Sequence, residues 1–227
     1  MSRTLHDGTP VTVVHVVRHG EVHNPDGVLY GRLDGYHLSE RGQQMAQAAA
    51  DHLADRDITH VVSSPLERAR QTAAPIAAVH GLEVERDSRL IESANHFEGL
   101  TIGSGEGALW RPAHWKAYTN PFRPSWGEPY AQIAARMRNA LDSARLVGEG
   151  HEVVVVSHQL PIWMLRRSIE GRSLWHHPRR RRCSLASVTS FLFHGDLPVR
   201  TMYAEPAADL LVGALDVTGT STEVIGR

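Results

Sequence analysis

Three short polar signatures in this sequence stand directly behind apolar runs. Arg18-His19-Gly20 follows Val-Thr-Val-Val-His-Val-Val at 11–17. Ser63-Ser64-Pro65, with Arg68 and Arg70 just beyond, follows the run 58–62, and Ser157-His158 follows 152–156. Imidazoles and guanidiniums gathered in this way suit the chemistry of a phosphate ester. A neutral imidazole can attack phosphorus, guanidiniums and a second imidazole can hold the equatorial oxygens, and a carboxylic acid can protonate the departing alkoxide. A glycine behind the first histidine would let the backbone come close to the phosphate.

These groups can converge only if the elements beneath them are aligned. The β-branched and aliphatic runs at 11–17, 58–62, 82–85, 152–156 and 185–193 predict strands. Between them, helical spacing predicts helices over 38–54 (capped by Ser39 or its neighbour), 66–79 (ended by Gly81, with Pro75 kinking or splitting it), 131–146, and 160–169 with Pro161 near the first turn. Strands alternating with helices imply an α/β fold with a mainly parallel central sheet and helices on both faces. In such a sheet the three signatures lie along one edge, and Arg68 falls in the first turn of its helix, where free amides and the helix dipole favour an anion.

Residues 95–130 break the pattern, with seven of the 14 aromatics and no clean periodicity. They are expected to form an irregular inserted segment that carries substrate specificity over one edge of the sheet. The small, polar tail 206–227 is expected to be loosely ordered.

Composition narrows the class. The chain has 227 residues, 41% hydrophobic and 22% charged, with 24 basic against 25 acidic groups and a formal net charge of −1. That balance argues against non-specific nucleic-acid binding. The apolar runs are far shorter than the roughly 20 residues that span a bilayer, and residues 1–10 lack the apolar stretch of a signal peptide, so a cytoplasmic protein without membrane contact is expected. One cysteine, Cys183, leaves no internal disulfide and no zinc site built on two thiolates. All the basic residues but Lys116 are arginine, whose fork geometry suits phosphate and carboxylate.

Taken together, Val17-Arg18-His19-Gly20-Glu21, Gly31-Arg32-Leu33-Asp34 with Leu38-Ser39-Glu40-Arg41-Gly42, and Ser63-Ser64-Pro65-Leu66-Glu67-Arg68-Ala69-Arg70-Gln71-Thr72-Ala73 resemble the histidine phosphatase superfamily, also called phosphoglycerate-mutase-like. The likeness runs from about residue 11 to 193, within a domain placed at 1–205. It implies that His19 is the phosphorylated nucleophile, that Arg18, Arg68 and His158 bind phosphate, and that Glu92 protonates the leaving group. Gly20, Asn24 and Gln159 fall at phosphate- or substrate-binding positions. Asn24 stands one residue earlier than in most relatives, and Gln159 replaces their usual glycine. The resemblance implies no cofactor and no metal, with a small phosphorylated metabolite as partner, and leaves a homodimer open.

Other chemistries find less support. His15, His19 and His23 recur every four residues, but the valine-rich context makes that segment strand and turn rather than a metal-binding helix, and His15 reads as a packed strand residue. Gly103-Ser104-Gly105-Glu106-Gly107-Ala108 has no adequate strand before it and reads as a loop. No arginine follows Cys183 at the spacing of a cysteine-dependent phosphatase, and the Gly-rich loop of nucleotide hydrolases is missing. The run 179–182 reads as a solvated basic face or as part of the pocket mouth. Three functional readings remain: a phosphatase acting on a small phosphate monoester, a phosphoglycerate mutase-type transferase, and a catalytically weak phosphate-binding interaction module. Glu92-Ser93-Ala94-Asn95-His96 differs from the Glu-Arg-His-Tyr-Gly of the family's mutases.

Overall fold

In the computed structural model, which describes residues 4–5, 7–101 and 127–216, β1 (Val11–Arg18) runs through the middle of the molecule and its residues 12–18 are buried. A strand of nearly continuous valine can stay buried on both faces only if helices cover both. Four helices do so: α1 (Glu40–Leu53), α2 (Glu67–His80), α3 (Tyr130–Val147) and α4 (Gln159–Ile169). The other strands are β2 (Ile58–Ser63), β3 (Val84–Arg86), β4 (Glu152–Ser157), β5 (Val188–His194) and β6 (Leu197–Ala204).

The strand order is β3-β2-β4-β1-β5-β6. β1 to β4 are mutually parallel, whereas β5 and β6 run antiparallel at one edge. Period-two alternation divides the core. Val14 and Val16 with Val153 and Val155 pack under α3 and α4, while Val17 with Val154 and Val156 packs under α1 and α2. The mainly parallel sheet with helices on both faces is therefore as expected.

Four details differ. β6 was not expected, because Pro198 and a largely exposed face hide it; an edge strand tolerates both. β5 begins at Val188 rather than at 185, since Ala186 adopts φ 52° in a turn. Of the two outcomes expected at Pro75, the split does not occur: it lies inside a single helix, where buried Ala73, Ile76 and Ala77 supply the packing that holds it. The first part of the tail is docked: Ala207 and Leu211 are buried against the α1/α2 side of the core, with Ala214 packed against the same cluster. Asn95 bridges to Gly127, so the described ends of the inserted segment lie side by side; its Trp110, Trp115, Tyr118, Arg123 and Trp126, and the glycine-rich 103–108, fall outside the described residues.

His15 is the packed strand residue expected. Its Nε2 lies 2.7 Å from Glu152 Oε2 and its Nδ1 2.8 Å from Ser190 Oγ, all three side chains being buried within the sheet. Removing the carboxylate orphans a buried imidazole nitrogen. Glu152→Ala should therefore cost about 3 kcal/mol of stability, seen as a lower urea midpoint at unchanged slope; a loss below about 1 kcal/mol would mean that the network contributes little.

Candidate active site

Strand register brings the three signatures together. Arg18 at the end of β1 pairs with Ser157 at the end of β4, and Ser63 of β2 pairs with Val156 of β4. The residues that follow, His19, Ser64 and His158, therefore leave the sheet side by side, and the two imidazole centroids stand 5.2 Å apart.

Each imidazole has one ring nitrogen engaged within the protein. His19 Nδ1 lies 2.8 Å from the carbonyl oxygen of Gly20, which can only accept, so Nδ1 carries the proton and Nε2 keeps its lone pair. Burial, then Arg68 and Arg18, hold the His19 pKa well below the ordinary histidine value, so the ring is neutral. His158 Nε2 lies 2.7 Å from Ser64 Oγ, and that oxygen accepts the Leu66 N–H. The serine oxygen can either give its hydrogen to Nε2 or accept a second N–H; we take the first arrangement, which puts the His158 proton on Nδ1. His158 Nδ1 is buried and has no hydrogen-bond partner among the described residues. Burial, followed by Arg68 and His19, keeps this ring neutral too.

Arg68 lies in the first turn of α2, fully buried. Its Nη2 donates to the Gly31 carbonyl at 2.6 Å and its guanidinium sits 4.7 Å over the Tyr30 ring, which also stacks on Tyr36. Arg68 Nε is a second buried donor without a described partner. Arg18 is held end-on: Nη1 donates to the Cys183 carbonyl and to Asp216, Nη2 to the other Asp216 oxygen. Glu92 follows a short 3-10 turn (Ser88–Leu90), accepts the Ser93 N–H at 2.7 Å, and offers its own carbonyl to Arg32. Burial raises the Glu92 pKa above the ordinary carboxylate value, against the lowering pull of the Ser93 N–H and of Arg68, Arg181 and Arg18.

The remaining predicted residues have more local duties. Gly20 gives its N–H to Thr72 Oγ1, and a Cβ on it would stand 2.5 Å from the Gly42 carbonyl oxygen. The close crossing of the loop after β1 with α1 thus itself requires glycine here. Gly20→Ala should push the two backbones apart and lower Tm by several degrees, a ΔΔG of about 1–3 kcal/mol; an unchanged Tm would show that the crossing relaxes freely. Asn24 engages Val28 through both ends of its amide, at 2.9 and 3.0 Å, and so closes its own loop. Gln159, the first residue of α4, is buried and accepts from Arg181 Nη1 at 3.2 Å.

Arg181 corrects the reading of 179–182 as a solvated face. It turns inward, its Nε also donating to His176 Nε2 at 2.8 Å, and its charge reaches Glu92. Sequence reasoning missed Tyr30, Thr72, Asp216 and the bracket made by Glu21, whose carboxylate takes the α1 cap Ser39 and the Leu215 N–H. Glu21 lies within the motif 17–21, but its partners Ser39 and Leu215 stand 18 and 194 residues away in sequence, which no local pattern records.

Comparison with known proteins identifies the family. A sequence profile of the Histidine phosphatase superfamily (branch 1) matches residues 14–205, and the chain belongs to that superfamily. It is 62% identical over 197 residues, 87% of this chain and 98% of the other, to the protein named Uncharacterized protein Rv0525 of Mycobacterium tuberculosis. It is 34% identical over 181 residues, 77% of this chain and 83% of the other, to the Erwinia tasmaniensis protein named Probable phosphoglycerate mutase GpmB. Among solved structures, mycobacterial glucosyl-3-phosphoglycerate phosphatase Rv2419c superposes with a TM-score of 0.69 at 28% identity, covering 86% of this chain and 98% of that one. Phosphoserine phosphatase of Entamoeba histolytica, at 23% identity, TM-score 0.67 and coverage of 85% and 96%, shares the fold. No helix among the described residues is long and apolar enough to cross a membrane.

Proposed function

We propose that the chain is a metal-independent phosphatase that hydrolyses a small phosphorylated metabolite, a phosphate monoester, in the cytoplasm through a phosphohistidine. The observation that carries this reading is a neutral imidazole with its Nε2 lone pair unengaged by the Gly20 hydrogen bond, standing beside two buried N–H groups, Arg68 Nε and His158 Nδ1, with no described partner. Buried donors are normally satisfied, and an oxyanion supplies what these two lack.

In the first step His19 Nε2 forms a bond to phosphorus while the ester P–O bond breaks, and the proton of Glu92 passes to the leaving oxygen. In the second, water attacks the phosphohistidine, the Glu92 carboxylate takes the proton from the water, and the P–N bond breaks to release inorganic phosphate. Arg18, Arg68 and His158 hold the equatorial oxygens, where charge stays high throughout.

The structural relative at 28% identity is named for glucosyl-3-phosphoglycerate, a small phosphorylated metabolite, which supports this substrate class. Purified protein should release inorganic phosphate from an aryl phosphate with chelator present. Transfer to an acceptor alcohol without net release would favour the mutase reading, and tight phosphate binding without turnover would favour a binding module.

A further inference from the structure

Residues 207–216 lead the chain back to the site. Asp216 receives Arg18 Nη1 and Nη2 at 2.9 Å each, a bidentate pair whose side chains are 1% and 10% exposed. The approach is built. Ala207 and Leu211 anchor the segment in the core, and the Leu215 N–H donates to Glu21 Oε1 at 2.7 Å, so the residue before Asp216 is tied to the loop that carries His19. Glu21 is in turn fixed by Ser39 at the α1 cap. Among the described residues two acceptors thus hold the far end of the guanidinium: the Asp216 carboxylate, and the Cys183 carbonyl at 2.7 Å.

We infer that Asp216 is a positioning residue: the C-terminal segment reaches back so that its carboxylate fixes the Arg18 guanidinium for phosphate. The inference rests on the phosphatase reading above for what Arg18 does. A planar fork contributes to oxyanion recognition only when its plane is set, and a supporting carboxylate sets it. The carboxylate also compensates a cation that is otherwise fully buried. Around that pair stand the neutral His19, the Arg68 guanidinium, Tyr30 and Cys183. The opposite action would be intramolecular competition, with the carboxylate occupying the fork as a phosphate mimic. The tie at Leu215 and the second acceptor at Cys183 favour a fixed brace over a displaceable plug.

The two actions have opposite signs. Asp216→Ala and Asp216→Asn should raise the inhibition constant of inorganic phosphate and lower kcat/KM for an aryl phosphate by about 10- to 100-fold, with Asp216→Glu recovering part of both. Phosphate affinity is also read directly, by the ligand-induced rise in Tm, so the series remains informative even if the parent protein proves to turn over nothing. Tighter phosphate binding or faster turnover in Asp216→Asn would overturn the brace in favour of the plug. A fall in Tm with unchanged phosphate affinity and kcat/KM would reduce Asp216 to a stability role and equally overturn the proposal.

Discussion

His19→Ala is expected to lower kcat by at least about 1,000-fold while leaving the protein folded and able to bind inorganic phosphate. The loss is large because the imidazole is proposed to make the covalent bond, and no neighbour can substitute: His158 presents Nε2 to Ser64, and the other nearby groups are guanidiniums and a carboxyl. Binding should survive because Arg18, Arg68 and His158 are held by their own partners rather than by His19: Asp216 and Cys183, Gly31 and Tyr30, and Ser64. Rapid quenching of the parent protein in alkali should trap a phosphoenzyme that is stable to base and labile to acid, as a phosphoramidate is. The variant should trap none. Residual activity within about tenfold of the parent would remove His19 from the role. A base-labile, acid-stable adduct would indicate an acyl phosphate on a carboxylate, and the histidine mechanism would have to be abandoned.

The parts of this site that the sequence reveals are those whose position follows from strand ends. A strand of valines fixes where β1 stops, parallel pairing then forces the ends of β1, β2 and β4 onto one edge, and the polar residues there need no further search. Glycine at 81 and serine at 39 likewise announce helix ends through local chemistry. What escapes such reading depends on long-range contact. Gly20 is a glycine because Gly42 crosses it, which no local pattern records. Arg181 belongs to a run that resembles any basic surface until Gln159 and His176 are seen to draw one member inward. The segment after Pro206 has the composition of a loose tail, yet Ala207 and Leu211 are enough to dock it and bring Asp216 to Arg18. β6 was hidden for a related reason: an exposed edge strand has no buried face to impose alternation on its sequence.

The pH dependence tests whether Glu92 and His19 act in the protonation states the mechanism requires. Glu92 must carry a proton to protonate the leaving oxygen, and burial holds its pKa above the ordinary 4.5, so the acid form persists to higher pH. His19 must be free of one to attack, and burial beside Arg68 and Arg18 holds its pKa well below 6.5, so the base form persists to lower pH. The two shifts act in opposite directions and widen the range in which both competent forms coexist. The kcat/KM profile for an alkyl phosphate should therefore peak between mildly acidic and neutral pH, its acid limb from His19 and its alkaline limb from Glu92. In Glu92→Gln the alkaline limb should vanish, because no group is left to ionise there, while the acid limb stays. The rate at the optimum should fall by about 100- to 10,000-fold on alkyl phosphates, the usual value of a general acid, and by less than about tenfold on an aryl phosphate, whose phenolate leaves without help. An equal loss on both substrates would show that Glu92 holds the site together rather than delivering a proton. A retained alkaline limb would assign that limb, and the proton, to a group other than Glu92.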